Sequence, residues 1–394
     1  MVGIMFSKLI FKFSNCFRKK ELDINKINIS SENKLTIGII KLGFIGDLIL
    51  TTPFLREIKR INPYNRIILI SFEISRALFL NDKNIDGIIH YPFFEINSIK
   101  ELLKSKFLKE ILQFKKIIRE EKIDIIICLN KLFSFWGTIK LFLIVFFSRA
   151  KASIGFDTMR RGFFFNIRIT DGGFLLKHEI VTYLDVLRLF NIQPRSGKPY
   201  IFTNTKDKLY IDELLNSMNI SNYNLIAIHP GGGGNFDNKK RWPLCKFVDL
   251  IQEIFRRDND SKIILVGGNN EKYLAEKIIE KIDANNKGKI IDLIGKFTLQ
   301  QLAYLFKYTN IFIGNDSGPA HIASINCKNV ITIFGFTDFI GFRPWNSLIV
   351  VKRLKCNPCI YSFKWKKCPT MDCINKIEVG DIMKLIEKRK LFKT

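Results

Sequence analysis

Cysteine is scarce in this sequence, with 8 in 394 residues. A chain of that size held together by disulfides would carry many more, so a disulfide scaffold is excluded. Cys16, Cys128, Cys245 and Cys327 are scattered and read as buried or incidental thiols. Long apolar runs are missing too. The nearest approach to a membrane span is residues 132–147, interrupted by Lys140 and shorter than the roughly 20 residues a span needs. It reads as a buried helix. The N-terminus has no clean apolar stretch followed by a small-residue cleavage site, so no signal peptide is expected and the cytoplasm is favoured. Acidic residues are few: 37 against 63 Lys+Arg, a formal net charge of +26. That excess first suggests a nucleic-acid binder. It is spread along the chain, however, and the same sequence is crowded with Ile, Asn and Phe, the drift expected of A+T-rich coding. What remains is a mild preference for phosphates or acidic lipid surfaces. With 47% hydrophobic and 25% charged residues, the composition is that of a globular protein and excludes a disordered polyelectrolyte or a collagen-like repeat.

Residues 1–33 stand apart. Phe6, Leu9, Ile10, Phe13 and Phe17 recur at helical spacing, with Lys8, Lys12, Lys19 and Lys20 mostly elsewhere. This pattern predicts a basic amphipathic helix. An anionic membrane surface and the body of the protein are both open as its partner. From residue 34 the pattern changes. Residues 34–41 (KLTIGIIK), 66–71 (RIILIS), 87–90 and 124–129 (DIIICL) read as strands, alternating with helical stretches such as 101–122. A second series begins at 224–229 (NLIAIH) and continues at 262–267, 289–293, 310–314 and 330–334, with helices at 244–257, 271–283, 299–308 and 320–326. Alternation of this kind implies βαβ units and parallel sheets. The expected division is an extension (1–33), a first Rossmann-like domain (34–195), a linker (196–221), a second Rossmann-like domain (222–350) and a cysteine-bearing tail with a closing helix (351–394). In such sheets ligands bind beyond the C-terminal ends of the strands, here expected in a cleft between the two domains.

Three strand exits carry chemistry. The first is Gly43-Phe44-Ile45-Gly46-Asp47, where two glycines allow a tight turn and Asp47 reads as an N-cap at the mouth of the next helix. Its glycines do not fit G-x-G-x-x-G. The second runs from His229-Pro230 through Gly231, Gly232, Gly233 and Gly234 to Lys239-Lys240-Arg241-Trp242-Pro243. Consecutive glycines expose backbone N–H groups, and three cations follow. The combination suits a diphosphate, although the Gly-Lys-Ser/Thr ending of a P-loop is absent. The third is Asn315-Asp316-Ser317-Gly318-Pro319-Ala320-His321, in which Ser317 or Asp316 can cap and Pro319 suits a first helical turn. The dipole of that helix favours an anion, and His321, one turn in, is placed to reach it. Between these, Glu271 could accept hydrogen bonds from ribose hydroxyls, and the stretch 294–298, with Ile294, could line a base.

The segments Gly46-Asp47-Leu-Ile-Leu-Thr-Thr-Pro53, Lys240-Arg-Trp-Pro243 and Asp316-Ser-Gly-Pro-Ala-His321 resemble glycosyltransferase family 9, the lipopolysaccharide heptosyltransferases. The resemblance covers roughly residues 35–383. It implies a GT-B fold of class α/β: two doubly wound Rossmann-like domains, acceptor on the first and nucleotide-sugar on the second. It also implies an inverting, metal-independent transfer of a heptose-like sugar from a nucleotide-sugar such as ADP-heptose to a lipid-anchored glycan. Asp47 is then similar to the general base and Lys240 to the diphosphate ligand. Asp316, Ser317, Gly318 and His321 form the donor-phosphate turn, with Gly231 and Gly232 beside it. Glu271 and Ile294 fall to the nucleotide, and Gly43, Gly46, Arg160 and His178 to the acceptor. The stretch Arg160-Arg161-Gly-Phe-Phe-Phe165 departs from the family and suggests a non-standard acceptor.

The expected partners are therefore the donor, a glycan acceptor and the inner membrane surface, and not nucleic acid. The expected place is the cytoplasm, peripheral on the cytoplasmic face of that membrane. No cofactor is expected. Cys356-x-x-Cys359, Cys368 and Cys373 leave a structural zinc site and plain thiols or disulfides both open, because the spacing fits a tetrahedral set only in part. Two other functions stay open: a GT-B nucleotide-sugar epimerase, and a basic nucleic-acid or membrane-binding module without catalysis.

Overall fold

In a computed structural model of the chain, the residues described are 22–23, 27, 29–30, 34–92, 105–171, 175–220, 223–232, 236 and 238–392. The amphipathic pattern read in residues 6–20 lies outside them. The chain forms two compact units. The first takes residues up to Phe44, then Thr51–Gly173 and Ile180–Gly197. The second takes Ile45–Leu50, Phe174–Glu179 and Lys198–Thr394. The boundary thus falls near the expected linker, but two short pieces of the sequence-predicted first domain cluster with the second.

The first unit is built on six parallel strands: β1 (Thr36–Ile40), β2 (Arg66–Ser71), β3 (Gly87–His90), β4 (Ile125–Cys128), β5 (Ala152–Phe156) and β6 (Ile167–Ile169). Their order is β3-β2-β1-β4-β5-β6, with Ile37 and Ile39 of β1 beside Ile67 and Leu69 on one side and Ile125 and Ile127 on the other. Strands flanked on both sides are apolar throughout because helices cover both faces, and the continuous Ile runs of β1, β2 and β4 reflect this. Helix α1 (Ile45–Ile61) follows β1; α2 (Ser105–Glu120), α3 (Phe135–Ser148) and α4 (Glu179–Arg188) follow in order. The apolar run read as a buried helix is α3, capped at its start by the Ser134 hydroxyl, which accepts from the Gly137 N–H. The phenylalanines of the Arg160–Phe165 stretch are core residues. Phe163, Phe164 and Phe165 are buried and pack with Phe142 of α3. Their function is to fill the unit, which corrects the reading of that stretch as a mark of unusual acceptor choice; Arg160 itself is exposed.

The second unit repeats the plan with β7 (Asn224–His229), β8 (Ser261–Leu265), β9 (Ile290–Asp292), β10 (Ile311–Asn315), β11 (Asn329–Phe334) and β12 (Leu348–Val351), in the order β12-β11-β10-β7-β8-β9. Taken from β7 onward, this is the strand order of the first unit, the doubly wound nucleotide-binding arrangement. Its longer helices are α5 (Thr205–Ser217), α6 (Leu244–Arg257), α7 (Lys272–Lys281), α8 (Leu299–Leu305), α9 (Gly318–Asn326) and α10 (Val379–Lys388). Pro243 precedes α6 directly, as its fixed φ predicts. The region read as a linker holds α5, capped by the Asn204 side chain accepting from the Asp207 N–H.

The tail is not an appendage. Trp365, Cys373, Ile374, Ile377, Ile382, Met383 and Ile386 belong to the same buried cluster as Phe247, Leu250, Ile251 and Ile254 of α6. Trp365 stacks on Phe336 at 5.0 Å between ring centres and meets Phe236 edge-on at 5.3 Å. Among the described residues no helix is long and apolar enough to cross a membrane. The packing of the tail predicts that Trp365→Ala lowers the unfolding free energy by about 3–5 kcal/mol in denaturant titration. A loss under about 1 kcal/mol would show the tail to be dispensable.

Candidate functional site

Strands β11, β10, β7 and β8 are neighbours in the second sheet, so their C-terminal exits lie side by side. At these exits stand Thr337, the turn Asn315–Gly318, His229 with the glycine loop, and Gly268–Glu271. Parallel strands therefore bring together segments that lie up to about 100 residues apart in the chain.

Asn315, fully buried at the end of β10, ties two of these exits together. Its Oδ1 accepts from the Trp242 N–H at 2.9 Å, and its Nδ2 donates to the carbonyls of Gly231 at 2.9 Å and Pro230 at 3.2 Å. The Trp242 indole N–H donates to the Ile377 carbonyl at 2.9 Å. A single amide thus fixes where the glycine loop leaves β7 and where the Lys239–Trp242 stretch returns.

Glu271 is buried and holds three groups. Its Oε2 lies 3.0 Å from His229 Nε2 and accepts from the Gly268 N–H at 2.9 Å; its Oε1 accepts from the Gly232 N–H at 2.6 Å. Arg241 Nη2 stands 3.8 Å from Oε1. Burial would raise the Glu271 pKa, but the His229 hydrogen bond and charge and the two backbone donors outweigh it, bringing the group down to about 2. Gly231 and Gly232 are glycine for reasons of space and backbone. A Cβ at 231 would overlap the Glu271 carboxylate, and Gly232 has φ +102°. Both Glu271 oxygens are taken by protein groups, and so is the Gly232 N–H. The carboxylate thus ties the glycine loop to the ends of β7 and β8. Ile294 lies wholly in the hydrophobic core, which removes it as a lining for a base.

On its other face His229 places Nδ1 3.0 Å from Ser317 Oγ, which lies 3.0 Å from the Asn315 carbonyl. Ser317 is the N-cap residue of α9, with Pro319 in the first turn. Asp316 is buried, and its Oδ2 accepts from Lys240 Nζ at 2.9 Å and the Thr337 hydroxyl at 2.7 Å. Burial opposes its charge, but Lys240, His321 and Thr337 hold the carboxyl below its usual range. The Lys240 ammonium also lies 4.6 Å above the centre of the Phe236 ring. Of the three clustered cations only Lys240 reaches the Asp316–Ser317 turn. Lys239 donates to the Lys366 carbonyl at 2.7 Å, and Arg241 donates to the Gly232 carbonyl at 2.9 Å and the Tyr273 hydroxyl at 2.6 Å.

Asp47 lies in the first turn of α1 rather than at its N-cap, within the six residues that cluster with the second unit. The reason for that association is steric. Gly46 lies directly against His321: a Cβ there would stand 2.6 Å from Cδ2 and 2.8 Å from Nε2. A Cβ on Gly318 would likewise meet Ile45 at 3.1 Å. Only glycines let these two helix starts approach so closely. His321 is buried, and its Nδ1 has no hydrogen-bond partner among the described residues. Burial pushes its pKa down to about 4 against the opposing charges of Asp316 and Asp47, so the imidazole is neutral at pH 7. The structure thus brings Asp47, Lys240, Asp316, Ser317, Gly318 and His321 into one neighbourhood.

His178 belongs to the same unit and is close enough to His321 to influence it electrostatically. Its Nε2 lies 2.9 Å from the Arg343 carbonyl, its ring meets Trp345 edge-on, and burial lowers its pKa. Gly43 and Arg160 belong to the first unit. Sequence reasoning gave no role to His229, Asn315, Thr337, Asp338 or Tyr361. Asp338 accepts from the Tyr361 hydroxyl at 2.8 Å and the Gly341 N–H at 2.8 Å, and Tyr361 is close enough to feel the Asp47 charge. His229 and Asn315 did carry a signal, since each is the last residue of an apolar strand. The four tail cysteines are free thiols, and Cys359 and Cys373 are buried. Among the described residues no group of three or more His, Cys, Asp or Glu is arranged to hold a metal ion, so the zinc reading finds no support.

Two doubly wound parallel units, with anion-favouring groups at the strand exits of the second, define a GT-B α/β protein. Comparison with known proteins places it further. Residues 111–369 match the model of glycosyltransferase family 9 (heptosyltransferase), and the chain belongs to that family. It is 25% identical to lipopolysaccharide heptosyltransferase 1 of Campylobacter coli over 365 residues, 90% of this chain and 98% of the relative. It is 28% identical to lipooligosaccharide heptosyltransferase 2 of Campylobacter jejuni over 170 residues, 42% of this chain, and there spans about half the relative's length (51%). Its fold is similar to the solved structure of E. coli heptosyltransferase WaaC with ADP-2-deoxy-2-fluoro heptose, with a TM-score of 0.61 and 15% identity, covering 90% of this chain and 100% of that one.

Gly46→Ala should cost about 1–3 kcal/mol by overpacking against His321, more than the roughly 1 kcal/mol that alanine returns in helix propensity. A variant as stable as wild type in denaturant would show that His321 moves aside freely. The depressed Glu271 pKa adds stability that is present above its ordinary value of 4.5 and is lost as pH falls through about 2. Acid titration of unfolding should show this component in wild type and lack it in Glu271→Gln; identical profiles would remove the carboxylate from the ledger.

Proposed function

We propose that this chain is an inverting glycosyltransferase that moves a heptose-like sugar from ADP-heptose to a lipopolysaccharide or other lipid-anchored glycan. The observation that carries the reading is the meeting of Asp47 with the start of α9, where Lys240, Ser317 and the helix dipole favour an anion. The named activities of its relatives, and the ADP-sugar in the WaaC structure, support the choice of donor.

In this reading the donor diphosphate lies at the N-terminus of α9, met by Ser317, the Gly318 turn and Lys240. An acceptor hydroxyl attacks the anomeric carbon from the face opposite the diphosphate. Its C–O bond forms as the bond to the diphosphate oxygen breaks, and Asp47 takes the hydroxyl proton. Negative charge grows on the departing ADP. Lys240, already desolvated between Asp316 and Phe236, and the helix dipole are fixed in advance where that charge develops. Neutral His321 offers an N–H in the same place without bringing a charge. The reaction as written needs no metal ion. Gly43, Gly46, Arg160 and His178 are assigned to the acceptor side. A site of action at the cytoplasmic face of the inner membrane, with residues 1–33 facing anionic lipid, belongs to the same proposal.

Asp47→Asn, assayed with ADP-heptose and an acceptor glycan, should lose roughly 10²–10⁴ in kcat with little change in donor KM. Turnover within a few-fold of wild type would end the assignment of Asp47 as base. Lys240→Ala should weaken donor binding, and an unchanged donor affinity would take Lys240 out of the phosphate site.

A further inference from the structure

Asp338 follows β11 and is buried, and its carboxylate gathers three stretches of chain. Its Oδ1 accepts from the Ile340 N–H at 3.0 Å and the Gly341 N–H at 2.8 Å, which closes a turn. Its Oδ2 accepts from the Tyr361 hydroxyl at 2.8 Å and from the Leu175 N–H at 3.4 Å. The turn then holds the stretch that contains His178. The Gly341 carbonyl accepts from the Glu179 N–H at 3.0 Å, and the Arg343 carbonyl lies 2.9 Å from His178 Nε2. One carboxylate therefore fixes Tyr361 directly and His178 through two carbonyls. These residues and Asp47 all belong to the second unit.

Tyr361 is half-buried, and Asp338, Glu179 and Asp47 are all close enough for their charges to act on its hydroxyl. Burial and those charges raise its pKa, so the phenol keeps its proton at neutral pH. That proton is given to Asp338, so the phenol oxygen meets any further group as an acceptor. The chemistry is the reverse of that at the start of α9, where Lys240 and the helix dipole favour an anion. An accepting oxygen among carboxylates suits a sugar, whose hydroxyls each bring a proton and no charge.

Resting on the transfer proposed above, we propose that Tyr361 is a specificity residue for the acceptor glycan, its oxygen accepting from a hydroxyl of the sugar ring that carries the attacking hydroxyl. Asp338 is the positioning residue that aims Tyr361, and it sets His178 on the same side through the turn. The attacking hydroxyl is then held by Asp47 and a second hydroxyl of the same ring by Tyr361. Two contacts fix the orientation of the ring where one would leave it free to rotate.

The test uses the full chain as wild type, Tyr361→Phe, Asp338→Asn and the double variant. Each is assayed with ADP-heptose and, separately, with a heptose-less lipopolysaccharide and a lipopolysaccharide ending in a single heptose. ADP is titrated calorimetrically into each in the absence of acceptor. Tyr361→Phe should raise the acceptor KM about fivefold and leave the donor KM and ADP affinity as in wild type. Asp338→Asn should raise the acceptor KM at least as much, because its one amide oxygen cannot serve both the turn amides and Tyr361. Adding Tyr361→Phe to it should change the acceptor KM little further, since the two act through one contact. Full additivity would overturn the positioning role of Asp338. A matching loss in donor KM or ADP affinity would move Tyr361 to the donor and overturn the proposal. So would a lowered melting temperature with reduced kcat and an unchanged acceptor KM, the mark of a purely structural residue. Should Asp338→Asn fold poorly, Asp338→Glu replaces it, with the same rise in acceptor KM expected. If wild type uses neither acceptor, the transfer reading fails and the role of Tyr361 falls with it. If wild type turns over and Tyr361→Phe matches its acceptor KM, the transfer reading stands and only this inference is refuted.

Discussion

A carboxylate shut away from water keeps its charge only when donors surround it. Glu271 meets that condition with two backbone amides and an imidazole, and the site of the second unit is arranged around the result. The donors come from two neighbouring strand exits, those of β7 and β8, so the charge cannot be satisfied unless the two strands and the start of the glycine loop are in register. Asn315 imposes the same demand with neutral groups one strand over. Together the two residues fix the course of the chain at Pro230, Gly231 and Gly232. Asp316 repeats the principle on a smaller scale, with Lys240 and Thr337 in place of amides.

Much of this was legible in the sequence, and the reason lies in the kind of signal. Buried parallel strands read as unbroken Ile and Val runs, so β1, β2, β4, β7, β8, β10 and β11 were visible. The exits that matter follow those strands directly, which is why Asp47, Lys240, Asp316, Ser317 and His321 could be picked out. The edge strands β6 and β12 are short and half-buried, and gave no comparable pattern. Glu271 was noticed at the exit of β8, but its hydrogen bonds to His229, Gly232 and Gly268 depend on distances that no spacing encodes. The Phe163–Phe165 run was misread for a related reason: aromatic clusters at a surface and in a core have the same composition, and only burial separates them.

The net charge of +26 also takes on a different meaning. Of the cations beside the glycine loop, Lys239 and Arg241 are committed to backbone carbonyls and a tyrosine hydroxyl, where they brace loops. Lys240 is placed by the Asp316 carboxylate at the head of α9. Local partners, rather than the total, decide which charges can act on a ligand. That is why a large positive excess said little about function until the hydrogen bonds were known.

The packing of the last helix carries a consequence for how the molecule is made. The first unit ends at Gly197, and one of its buried clusters draws only on residues between Ile40 and Phe165, all of which are synthesised early. The core of the second is incomplete until Ile382, Met383 and Ile386 of α10 have joined α6. Domains tend to fold as units, N-terminal first, as the chain emerges. The first half can therefore close while the ribosome is still translating. The second must wait until α10 has been made, with the apolar face of α6 uncovered in the meantime. Translation order thus leaves the half that carries the donor site as the later and more exposed folding step.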